Sequence, residues 1–339
     1  MKKFIFISSS AVILFIWVTI SINAKTIFED NHFSSNEVKD ASNIFFADPT
    51  IFHEKDKYYM TGTGFSETPG FILLESENLT EWKISRPDSM ILRKGNSTFG
   101  TKGFWAPQII KNENTYWLTY TANEQISLAT SDGVKELFTQ DQIQPIDSTE
   151  KNIDSFLFKD DDGRWYLYHV RFNNGNFLWV GEFNPDTGKI IDGTLSQCFK
   201  NDQSWESTPA FESVPIMEGP TVIKLDGKYY LFYSANHFQS PDYAVGYAIA
   251  DTPLGPWEKN PDNPIIHRSI VKENGSGHGD IFKDDQGNYR YVYHVHNSDS
   301  KVSPRRTRIV SLNLDKDAVT GKYKITANPD SVIKVRLVK

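Results

Sequence analysis

Five times along the chain, a short run rich in apolar residues gives way to a few polar ones and then to a run dense in aromatics. The first is "DPTIFHEKDKYYMTGTG", beginning at Asp48. The others are "APQIIKNENTYWLTYTAN" from Ala106, "DSFLFKDDDGRWYLYHVRF" from Asp154, "GPTVIKLDGKYYLFYSANHF" from Gly219 and "GDIFKDDQGNYRYVYHVHN" from Gly279. Each predicts a strand, a tight turn and a second strand. The turns carry hairpin chemistry, as in Asp162-Gly163, Asp226-Gly227 and Gln286-Gly287. In the first run Asp48 stands directly before Pro49. Proline donates no ladder hydrogen bond and pushes its predecessor into an extended shape, so this pair predicts the start of a strand.

The openings lie 58, 48, 65 and 60 residues apart, which leaves room for about four strands per interval. Third and fourth strands can be read after the first hairpin in "FILLESEN" and "EWKISRP", and after the fourth in "YAVGYAIAD" and "PWEKNPDNP". No amphipathic helical stretch interrupts them. Four antiparallel strands restarting at near-constant intervals predict an all-β fold, a five-bladed β-propeller over residues 43–339. In such a fold the first strand of each blade lines the axis and the second returns to the same mouth. The openings and the ends of the second strands therefore converge on one funnel. Residues 316–339 are expected to add an outer strand or two.

Composition and charge narrow the function. The net charge is −7 and no basic run occurs, which argues against nucleic acid as a partner. Aromatic residues make up 14% of the chain, a surplus that suits a sheet-rich core or a carbohydrate site where rings stack on sugar faces. With Cys198 as the one cysteine, no intramolecular disulfide can form. Met1-Lys2-Lys3, an apolar stretch to Ile22 and the small residue Ala24 read as a secretory signal over residues 1–24, with an uncleaved anchor as the alternative. Residues 25–42 read as a polar leader, and the expected location is periplasmic or secreted.

Asp48, Asp154 and Glu218 fall at the openings of blades one, three and four. Carboxylates gathered at one concave mouth shift each other's pKa values and separate an acid from a base. Glycoside hydrolysis needs such a pair, one protonated for the leaving oxygen and one ionised to activate water or attack carbon. Glu218 follows Ile216-Met217 and precedes Gly219-Pro220, a relatively apolar setting that favours the protonated form. Glu206 and Glu212 in the preceding loop are rivals for the acid, but neither opens a strand.

The run "ADPTIF", "FWAPQI", "IDSFLF", "MEGPTV", "GHGDIF" resembles glycoside hydrolase family 43, with order and spacing kept over residues 43–315. The resemblance implies a five-bladed propeller enzyme that inverts anomeric configuration. It implies Asp48 as general base, Glu218 as general acid, and Asp154 as the residue that tunes and orients the acid. It also implies a polysaccharide substrate, foremost α-L-arabinofuranosyl linkages of arabinan or arabinoxylan, then β-xylosyl, then galactose-type. Fructan-directed propellers carry Arg-Asp-Pro where this chain has Ile153-Asp154-Ser155, which counts against them. A propeller that binds sugar without cleaving it would lack an acid or a base.

Around the carboxylates, Trp105 is a candidate sugar platform, and Asn236, at a second-strand end facing the cavity, a candidate for binding substrate. His278, flanked by two glycines, is assigned by the resemblance to the pocket base, where calcium is bound in some members. A single histidine makes a weak calcium site, so no cofactor is required and calcium in the central channel stays an option. Of the three arginines in "SPRRTRIVSL", Arg306 is chosen for the pocket over Arg305 and Arg308. His237, His294 and His296 read as ordinary strand or rim histidines. A monomer is expected.

Overall fold

A computed structural model describes residues 41–64, 70–86, 90–208 and 214–338. The expected export signal, the leader up to residue 40 and Glu212 lie outside them. Among the described residues, no helix is long and apolar enough to cross a membrane.

Five of the sheets among the described residues, antiparallel apart from one outer pair in blade one, form the five blades. Their innermost strands are Ala47–Glu54, Trp105–Asn112, Asn152–Lys159, Met217–Leu225 and Gly277–Lys283, at the openings the sequence predicts. The hairpins close as their turn residues require. Asp226 and Gly227, between Met217–Leu225 and Lys228–Ala235, have φ of 48° and 80°, the paired left-handed geometry of a two-residue turn that matches strand twist. The fifth blade ends in the long outer strand Tyr323–Lys334. The chain then crosses to blade one, where Arg336–Val338 pairs in parallel with Glu81–Ile84. Blade two carries three ladder strands, and an isolated Thr130–Thr139 bridge stands where a fourth would lie.

The second strands explain the aromatic runs. Tyr58, Leu118, Tyr168, Leu231 and Tyr291 sit in strands whose residues are buried almost without alternation, because each blade is covered on both faces by its neighbours. The apolar core accordingly divides into five clusters, one at each blade interface. Phe71, Phe104 and Tyr120 pack between blades one and two. Trp117 and Trp165 stack at 5.1 Å between two and three. Tyr168 and Tyr233 pack between three and four, Phe232 and Tyr291 between four and five, and Tyr58 and Phe282 across the closure of five on one. Each fully buried ring contributes about 1.5–3 kcal/mol, so ring closure is held chiefly by these wedges. At the axis Asp280 of blade five accepts from Thr50 of blade one and Thr221 of blade four, both at 2.6 Å, fastening three inner strands together.

Every inner strand shifts register at the same place, between Ala47 and Thr50, Trp105 and Gln108, Ile153 and Phe156, Glu218 and Thr221, and Gly277 and Gly279. At that bulge Asp48, Ala106, Asp154, Gly219 and His278 all have φ between 38° and 57°. Left-handed backbone at a residue other than glycine costs of order 1–3 kcal/mol and persists where the surroundings over-determine it. Four such residues around one axis mark the mouth as a built site. The register also corrects one expectation. Gly219, not Glu218, is the counterpart of Asp48 and Asp154, and Glu218 stands one residue earlier, level with Ala47 and Trp105.

Candidate active site

The bulges turn Asp48, Asp154 and His278 toward a small cavity of ≈ 20 Å³ on the axis, lined also by Thr50, Ser155 and Asp280. That is room for about one water. Asp48 is nearly enclosed and well supplied with donors. Thr63 Oγ1 donates to its Oδ2 at 2.6 Å. Arg305 Nη1 and His278 Nδ1 each lie 3.3 Å from its Oδ1, and His294 Nδ1, 3.4 Å from the same oxygen, accepts the Asp48 backbone N–H at 3.2 Å. Burial pushes the Asp48 carboxyl up, but Arg305, the two histidines and the Thr63 hydroxyl together outweigh it and hold the group well below the usual carboxylate range. Asp48 is an ionised carboxylate.

Glu218 sits in the opposite electrostatic setting. Asn176 Nδ2 donates to its Oε1 at 3.0 Å and Tyr243 Oη to its Oε2 at 3.1 Å. Burial raises its pKa first of all; the two donors and Arg305 pull down, and the nearby Asp48 charge pushes up again, for a net rise. Asp154 is pushed well above its ordinary value by burial and then by the charges of Glu218 and Asp48, which the Gly219 N–H at 3.4 Å and the Arg305 charge offset only in part. Glu218 and Asp154 therefore titrate as a pair that favours holding a proton. Burial also lowers the pKa of His278, against the pull of the Asp48 charge. Gly219 makes room for that ring, because a Cβ there would come within 2.6 Å of His278 Cδ2.

A family model for glycosyl hydrolases family 43 matches residues 41–319. The chain belongs to this family. A xylosidase/arabinosidase of Humicola insolens is 26% identical over 280 residues, 74% of this chain and 47% of that protein. Among solved structures, an endo-1,4-beta-xylanase from Bacteroides thetaiotaomicron superposes with a TM-score of 0.80 at 38% identity, covering 88% of this chain and 99% of that one. A thermostable family-43 glycoside hydrolase gives 0.75 at 30%, covering 87% and 96%. The chain spans about half the length of the curated relatives it matches.

Within this family 43 chain, the structure brings together most of the residues expected at the mouth and relocates others. Asp48, Asp154, Glu218 and His278 converge. Trp105 stands 38% exposed in the register position of Glu218, open to a ligand. Asn236 is buried, with its Oδ1 accepting from the His237 N–H at 3.0 Å. Its Nδ2 has no partner among the described residues. Arg306 is corrected to Arg305. Arg306 donates to the His296 carbonyl and pairs with Glu273 at 3.2 Å, and Arg308 grips the same Glu273 at 2.7 and 2.8 Å. Alternation puts residues 306 and 308 on one face, while Arg305 meets Asp48 and lies against the Phe238 ring at 4.8 Å.

His294 is the clearest residue that sequence reasoning missed. It is fully buried, its Nε2 lies 3.1 Å from Arg305 Nη1 and its ring faces Tyr243. Its one signal was cross-strand pairing with Gly277, next to His278. His296 is buried with its Nε2 2.9 Å from the Phe238 carbonyl, and the partly buried His237 stacks on the Phe238 ring. Glu206 is eliminated as a rival acid, being fully buried and paired with Lys259 at 2.6 Å.

Asp154, Glu218 and His278 offer atoms within 4.8 Å of one another. That set does not suit calcium, which takes six to eight oxygens. It contains two carboxylates and one nitrogen, and both Glu218 oxygens already accept hydrogen bonds.

The exchange of Arg305 for Arg306 gives a direct test. Arg305→Ala should raise the Asp48 pKa by about 1–3 units, moving the acid limb of kcat/KM to higher pH. Arg306→Ala should leave that limb in place. Equal shifts in both variants would return Arg306 to the site.

Proposed function

We propose that this protein is an inverting glycoside hydrolase acting on pentosyl linkages, α-L-arabinofuranosyl or β-D-xylosyl, of plant-type polysaccharides. The observation that carries the reading is the opposed setting of two carboxylates at one mouth: Asp48 is held ionised by Arg305, His278, His294 and Thr63, while Glu218 is driven toward its protonated form. In the reaction, Asp48 removes a proton from a water as that water attacks the anomeric carbon, and Glu218 gives its proton to the departing oxygen. The anomeric C–O bond to the leaving group breaks, a new one to water forms on the opposite face, and the two carboxyl groups end with their protonation exchanged. Asp154 acts through Glu218 by sharing its proton. Arg305 and His294 keep Asp48 ionised and fixed. Trp105, exposed at the start of the inner strand of blade two, offers a flat apolar face to a sugar ring.

The pentose assignment draws on the relatives, whose names join xylosidase with arabinosidase and include a xylanase. It is tested with 4-nitrophenyl α-L-arabinofuranoside, β-D-xyloside and β-D-galactoside alongside linear arabinan and xylan. One of the two pentosides should be turned over at least tenfold faster than the galactoside. A faster galactoside would overturn the pentose reading, and binding of all substrates without turnover would overturn hydrolysis itself.

A further inference from the structure

Tyr243 lies just before the third strand of blade four, fully buried, and the general chemistry of the site does not need it. Its position is nonetheless built with care. Its hydroxyl reaches Glu218 Oε2 at 3.1 Å. Its ring stacks on His294, centroids 5.7 Å apart and planes 15° from parallel. Gly277 leaves the space the ring fills, since a Cβ there would lie 2.4 Å from Tyr243 Cδ1. His294 in turn touches Asp48 and Arg305. One side chain therefore spans the gap between the carboxylate on blade four and the charged group built around Asp48.

We infer that Tyr243 is a positioning residue that fixes the carboxyl of Glu218 and sets the pH at which it gives up its proton. The inference rests on the proposed role of Glu218 as the acid. Its physical basis is the direction of the hydrogen bond. A phenol hydroxyl donates more strongly to an ionised carboxylate than to a protonated one, so Tyr243 favours loss of the proton. Asn176 works in the same sense on the other oxygen. The remaining charged or titratable groups facing Glu218 are Asp154 from blade three, Asp48 from blade one, and His278 and Arg305 from blade five. Asp154 and Asp48 oppose ionisation and Arg305 favours it. Tyr243 thus keeps burial and two carboxylate neighbours from raising Glu218 so far that its proton is no longer transferred readily. The stack on His294 prevents the hydroxyl from swinging away.

Tyr243→Phe keeps the ring and its stack and removes only the donor. Because Glu218 must be protonated, activity falls as pH rises through its pKa, and that basic limb of kcat/KM should move up by about one pH unit. The acid limb, governed by Asp48, should stay where it is. Site-specific 3-fluorotyrosine at position 243 retains ring and hydroxyl, so folding is not at issue, and as a stronger donor it should move the basic limb down. Glu218→Gln, measured in parallel, separates this inference from the reading beneath it. If Glu218→Gln leaves the basic limb unchanged, the acid assignment fails. If it abolishes that limb while neither Tyr243 variant moves it, or if both limbs move together, the inference about Tyr243 is overturned.

Discussion

Asp48→Asn should reduce turnover by about 10²–10⁴-fold on every substrate, activated or natural, since no leaving group can substitute for activation of the attacking water. The replacement keeps the size of the side chain and an oxygen to accept from Thr63, which lies 2.6 Å away. It removes the charge that Arg305, His278 and His294 surround. The loss should therefore fall on kcat, with KM changing far less, because the base acts in the transition state and not in holding the sugar. The parent enzyme should remain active well into the acid range, because Asp48 sits below the usual carboxylate range and stays ionised there. Initial-rate kinetics on an aryl pentoside and an unactivated oligosaccharide check both points. A variant that retains more than a tenth of parent turnover on either substrate would remove Asp48 from the role of base.

Glu218→Gln should behave differently. It should lose about 10²–10⁴-fold on a natural oligosaccharide, whose leaving alcohol needs a proton, and much less on an aryl glycoside whose phenolate leaves unaided. The basic limb of the pH profile should vanish along with it. Sign and cause agree: burial and the Asp48 charge raise the Glu218 pKa, so the parent is active below that value and loses activity as pH rises through it. Glutamine still meets Asn176 and Tyr243, so the fold should be kept, and an unchanged thermal melt beside the kinetics checks this. Equal losses on both substrates would show that Glu218 does not protonate the leaving group.

How far the sequence reaches is set by distance along the chain. The blades were legible because each inner strand, turn and second strand is local, and Asp226-Gly227 fixes its hairpin within two residues. The mouth was legible because the same phrase opens each repeat. What stayed hidden depends on contacts between remote segments or on one-residue offsets. Arg305 and His294 stand 257 and 246 positions from Asp48, in the last blade, and reach it only because the ring closes. The bulge shared by all five inner strands places Glu218 one residue ahead of Asp48 and Asp154 in register, an irregularity that an apolar pattern does not reveal. The arginine register was open to parity, since residues 306 and 308 share a partner in Glu273 that residue 305 cannot reach. Asp280 stands within "GHGDIF", but its role at the axis depends on Thr50 and Thr221 from two other blades.

In the proposed mechanism water attacks directly while Glu218 protonates the leaving group, with no covalent sugar–enzyme intermediate. Proton NMR of a reaction with an aryl pentoside, recorded before mutarotation equilibrates the product, reads this from the first-formed sugar. The expected product is the anomer opposite to that of the substrate. A first-formed sugar of retained configuration would mean that a carboxylate attacks carbon, would make Asp48 a nucleophile, and would contradict the mechanism.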